Sequence, residues 1–169
     1  MALVRRVCSL KTGGQQTIQP ETWTVVRFPF DGTAEPYDPD GMHTKLSPPN
    51  SSPITVSDPE AGLIWPEHDA WATMQGFMIW QTQSGVASAD RFKLARHRFS
   101  RDPFGVNDTT ATSCCNASPN HSVATSDTVS WNFFVHPGTP ISYLVWHDAE
   151  TPKALTLAEF KMSYLIEVP

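Results

Sequence analysis

Three observations predict an all-β fold for this 169-residue chain, an antiparallel β-sandwich of the jelly-roll kind. Apolar side chains recur with period two in segment after segment, as half-buried strands require, because successive side chains leave a pleated strand on opposite faces. Turn-forming residues separate those segments, at Asp31-Gly32, Pro48-Pro49-Asn50, Ser84-Gly85, Pro119-Asn120, Pro137-Gly138 and Thr151-Pro152. No segment carries a strong helical period. About eight strands with this punctuation describe a sandwich or jelly roll. The length fits one domain and is enough to bury roughly 70% of the extended chain's surface.

The elements follow in order. Residues 1–14 are expected to form an N-terminal arm, either docked on a partner or serving as the first strand (residues 3–8), ahead of a jelly-roll domain over 15–169. Residues 22–28 alternate as a strand with Trp23, Val25, Val26 and Phe28 as packing residues. A long Asp/Gly loop spans 31–53, followed by a short strand at 54–57. Residues 73–82 are apolar on both faces, with Met74, Met78 and Trp80 opposed by Phe77 and Ile79. Residues 91–99 mix strand and helix spacing; read as a strand, they place Arg96 and Arg98 on one face and Lys93 and His97 on the other. A polar loop is expected over 101–122, then strand residues 122–129.

Next, Val129, Trp131, Phe133 and Val135 share a face, Tyr143 and Val145 are opposed by Leu144 and Trp146, and Phe160, Met162, Tyr164 and Ile166 are opposed by Glu159, Lys161, Ser163 and Glu167. Trp23, Trp80 and Trp131 are therefore expected in the core. The two-sided strands need cover on both faces, from a second sheet and from something else, such as a neighbouring subunit.

Composition excludes several classes. Twelve basic and 17 acidic residues give a net charge of −5, so the chain is not built to coat nucleic acid. No run of 18 apolar residues occurs, so no membrane-spanning helix is expected. The N-terminus has two Arg but no apolar core behind them, so no secretory signal is read. Three Cys without a Cys-x-x-Cys motif favour free thiols. The four Asn-x-Ser/Thr sequons are read as chance matches in a Ser/Thr-rich chain. Charged residues amount to only 17%, against a usual ~25%. With six Trp and nine Phe, this describes either a chain that buries surface against neighbours or an ordinary Ser/Thr-rich β-domain.

No catalytic, cofactor or metal residues are assigned, and the chain is read as a non-enzyme. Asp38-Pro39-Asp40-Gly41 opens like a calcium loop, but the twelfth position is Pro49 rather than Glu, which favours an Asx turn. His43, His136 and His147 form no His-x-His pair, and Cys114, Cys115 and His121 match no zinc spacing. No Gly-x-Ser-x-Gly elbow occurs. Two candidate surfaces remain. Arg91, Lys93, Arg96, Arg98 and Arg101 gather five of the twelve basic residues into a docking strip or anion site, unless they are a solvated strand edge. Trp65 and Trp71 flank an acidic loop, where they would offer a glycan or partner contact.

The chain order completes the reading: a Trp-led strand, an Asp/Gly loop to His43, Ala61-Gly62-Leu63 leading to a long apolar strand that ends at Trp80, a basic strand, a polar loop, the Pro137-Gly138 turn and a closing strand. This order resembles the jelly-roll heads of the complement and tumour-necrosis-factor superfamily. It is especially similar to the short versions carried by tailed bacteriophages as minor structural, minor tail or decoration proteins, over roughly residues 15–167. It departs from them where Trp65-Pro66-Glu67-His68-Asp69 intervenes before the apolar strand.

The resemblance implies a homotrimer with aromatic and apolar side chains near its three-fold axis. It further implies a phage virion structural protein assembled in the host cytoplasm, decorating the capsid through contacts with the major capsid protein or other virion proteins, with no membrane or nucleic-acid partner. The alternative is a tail-associated module that binds a host-receptor glycan. No stalk precedes the head, which favours decoration over a fibre tip.

Overall fold

The computed structural model describes residues 1–30, 37–44, 46–47, 52–55, 57–81, 85, 90–91, 94–105, 111–116 and 125–169. The strands are β1 (Ala2–Thr12), β2 (Gln16–Ile18), β3 (Thr24–Val25), β4 (Leu46–Ser47), β5 (Ser52–Pro53), β6 (Leu63–Ile64), β7 (Ala70–Trp80), β8 (Ala95–Arg101), β9 (Ala111–Asn116), β10 (Thr125–Val135), β11 (Ile141–His147) and β12 (Lys153–Val168). Sheet A runs β1-β12-β7-β10, with β2 beside β1 on the same flank of β12; sheet B runs β3-β11-β8-β9, with β6 beside β3 on β11; β4 and β5 pair with each other. Every ladder is antiparallel. The architecture is the expected all-β jelly-roll sandwich. Among the described residues, no helix is long and apolar enough to cross a membrane.

The period-two patterns set which face each strand buries. β7 reads buried-exposed along its first half, placing Ala72, Met74, Met78 and Trp80 inward. β12 places Phe160, Met162, Tyr164 and Ile166 inward. Further back, the register of β12 against β7 slips between Leu155 and Leu157. That extra residue lets Leu155 and Ala158 both face the core although they are three apart.

Between the sheets, Phe99, Tyr143 and Phe160 form a mutually packed trio with ring centroids 5.5 to 6.1 Å apart. Phe28 joins it at 6.4 Å from Phe160. Gly76 on β7 lies directly under Tyr143, where a Cβ would stand 2.6 Å from the ring. The missing side chain lets the tyrosine settle against sheet A. Gly138, at φ +78°, closes the turn between β10 and β11 in a conformation that favours glycine.

β1 pairs with β12 at every position from Ala2 to Thr12 and buries Cys8 and Leu10. Several expectations are corrected. The strand expected over 22–28 shrinks to β3, because only Val25 and Thr24 find register partners on β11. No strand occupies the described part of 54–57; a 3-10 turn at Pro59–Gly62 leads instead into β6. The polar stretch read as loop contains β9, which lines up along β8. Trp23 is half-buried, and Trp131 faces the core side of edge strand β10 yet stays 49% exposed. Lys93, Pro48, Pro49, Asn50, Asp31, Gly32, Ser84, Pro119, Asn120 and His121 lie outside the described residues.

Candidate functional site

The sandwich presents two outward faces of opposite character. On sheet A four outward positions at one end carry large apolar side chains. Trp71 is 72% exposed, Leu3 67%, Leu165 50% and Phe134 39%. The register places Phe134 opposite Trp71, and the two rings meet edge to face at 6.1 Å. Arg5 lies opposite Leu165, and a depression of about 410 Å³ opens between Arg5, Trp71, Thr73, Ser163 and Leu165. Farther along, Glu159 pairs with Lys161 at 3.0 Å and with Lys11 at 3.7 Å. These exposed pairs add little stability. An exposed apolar end of this kind marks a contact surface.

Sheet B covers its own outward face. Arg96 stacks over Trp146 at 4.9 Å and Arg98 over Trp23 at 4.3 Å. Such stacks contribute roughly 0.5–2 kcal/mol each, depending on desolvation. Leu144 and Val25, which follow in register beside Arg98, are only 5% and 7% exposed. The outward side of β11 is thus shielded by this chain's own side chains. Burial also holds the Arg98 guanidinium below the usual arginine range.

The basic strip divides. Arg96 and Arg98 share the outward face. Arg101, at the end of β8, donates from Nη1 to the Phe134 carbonyl at 2.9 Å, tying β8 to β10. Arg91 lies half-buried in the turn before β8. Trp65 and Trp71 do not share one platform. Trp71 stands out from sheet A beside Phe134, whereas Trp65 is half-buried, donates its backbone N–H to the Met42 carbonyl, and buries its indole nitrogen.

The Asp38 loop is closed by its own carboxylate, across four and five residues rather than the two of the expected Asx turn. Its carboxylate accepts the backbone N–H groups of Met42 (3.0 Å) and His43 (2.6 Å), while Asp40 pairs with Arg6. Cys8 lies beside Asp38, and burial raises its thiol far above the ordinary range. Three histidines are likewise engaged: His43 Nε2 with the Ala61 carbonyl, His136 Nδ1 with Thr139, and His147 Nε2 with the Ile18 carbonyl. Among the described residues, no three His, Cys, Asp or Glu side chains converge on a common ion site.

Sequence reasoning missed Phe134 and the pairing of Trp23 and Trp146 with arginines. The Phe133-Phe134 doublet on an alternating strand did signal that one ring must point outward. The Trp–Arg stacks join strands distant in sequence and left no such signal.

No protein-family model matches the chain, and no curated protein does. Solved structures match at the level of fold. Eiger TNF from S. frugiperda superimposes over 98% of this chain and 95% of its own, with a TM-score of 0.58 at 10% identity. Murine APRIL at pH 8.0 superimposes over 94% of this chain and 98% of its own, with a TM-score of 0.53 at 13% identity. The same protein at pH 8.5 gives 0.51 at 14% identity. The chain therefore has a tumour-necrosis-factor-like jelly-roll fold. Identities this low carry the fold and not the function.

Proposed function

We propose that this chain is the subunit of a homotrimer with a structural role, and that its place is on the surface of a tailed-phage particle as a capsid decoration protein. The observation that carries self-association is the concentration of exposed large apolar side chains on sheet A, where Leu3, Trp71, Phe134 and Leu165 all lie on outward positions. Three copies is the number implied by the likeness to complement and tumour-necrosis-factor heads. No catalytic group forms part of this reading.

Light scattering at micromolar concentration tests the assembly. A mass about three times 18.7 kDa is expected, and Trp71→Glu should shift it to the monomer. A stable monomeric parent would overturn the trimer. Placement on a virion rests on the order of sequence motifs and is tested separately, by gold-labelled antibody on particles. Label over the heads supports decoration. Label confined to the tail tip replaces it with a glycan-binding role centred on Trp71, and unlabelled particles remove the phage assignment.

A further inference from the structure

Sheet B carries a feature that association through sheet A leaves unused. We propose that Arg96 and Arg98 form a docking site for an acidic protein, engaging a pair of carboxylates on its surface. Each guanidinium lies over an indole ring, Arg96 on Trp146 and Arg98 on Trp23. Contact with the ring restrains each side chain before a partner arrives, so less side-chain freedom is lost on contact.

Among the described residues, neither arginine has an acidic partner. The Nε atoms of both are buried without an acceptor among the described residues. A half-buried guanidinium with no anion beside it among the described residues suits one half of an interface. Arg96 and Arg98 are alternate residues on β8, so their side chains leave the same face roughly 6.7 Å apart. A planar guanidinium grips a carboxylate through two parallel hydrogen bonds. The pair therefore matches two acidic side chains at similar spacing on a partner.

One observation favours a protein over a dense polyanion: half-buried Trp and Arg together are the side chains that dominate protein–protein contacts. The site lies on the other sheet from the proposed subunit contact and does not depend on it.

Fluorescein-labelled poly-L-glutamate, followed by anisotropy against the full-length protein at low salt, tests the site. Saturable binding is expected, at least tenfold weaker for R96A/R98A. The R96K/R98K variant keeps both charges but not the planar forks, and should also lose most of the affinity. Light scattering and thermal unfolding of each variant separate loss of binding from loss of fold or assembly. If R96A/R98A does not fold, R96K/R98K decides alone. Failure of poly-L-glutamate to bind, or parental affinity in the folded variants, overturns the proposal. Heparin displacing the probe at far lower concentration also overturns it, by reassigning the site to sulfated polyanions.

Discussion

Gly76 and His147 each show how one position constrains the core. At Gly76 the Tyr143 ring occupies the space a side chain would need. Gly76→Ala forces the ring or the sheet to move, a change that costs about 1–3 kcal/mol by overpacking. Urea unfolding should show that loss with an unchanged slope. His147 is buried, accepts the Ala149 N–H at Nδ1 and donates from Nε2 to the Ile18 carbonyl, so it is neutral in the folded protein. Burial, reinforced by Lys153, lowers its pKa despite the opposing pull of the Ile18 carbonyl, Asp148 and Asp90, and burial lowers that of His43 too. With a folded pKa below the unfolded 6.5, stability is complete above about pH 6.5 and falls as the unfolded state takes up protons below it. The melting temperature should therefore drop between pH 7 and pH 5, and His147→Gln should flatten that slope. At this scale the sequence misleads where position on a strand and depth in the fold disagree. Trp131 has the parity of a core residue yet lies on an edge strand.

Among the elements, β10 and β12 were legible because their alternation runs for seven residues or more, and β7 and β11 because apolar side chains line both of their faces. β9 was not, since Ala-Thr-Ser-Cys-Cys-Asn has no apolar alternation and is held by its register along β8. β2 and β3 are too short to show a period and exist because β12 and β11 offer them partners. β1 carries the firmest prediction. Removing residues 1–14 strips an eleven-residue strand from sheet A, exposes the flank of β12, and deletes the buried Cys8 and Leu10. The truncated chain should be insoluble or lose its cooperative thermal transition; a soluble, folded product would show that β1 is dispensable.

For the whole molecule, the two faces predict different responses to salt. Contacts through the apolar end of sheet A should hold or strengthen as ionic strength rises, whereas contacts through Arg96 and Arg98 should weaken once the Debye length falls below about 5 Å. Sedimentation across a salt series, with and without poly-L-glutamate, should show the oligomer persisting while the probe is released. Loss of both together would place the arginines in the subunit contact. The sandwich was readable from the chain because alternation and turns are local. The contrast between the faces was not, because the Arg–Trp stacks that cover sheet B bring Trp23 to β8 from 75 residues earlier in the chain.

The unbroken pairing of β1 with β12 has a practical consequence. Ala2 sits opposite Val168 in register, so both ends of the chain emerge side by side at one margin of sheet A. A short flexible bridge between them would let the polypeptide be reopened elsewhere, most simply at the Pro137-Gly138 turn. Such a circular permutant should fold with the parent's spectrum. Its new ends would lie three residues from Phe134, at the apolar end of sheet A, so that a cargo fused there should block association through that face.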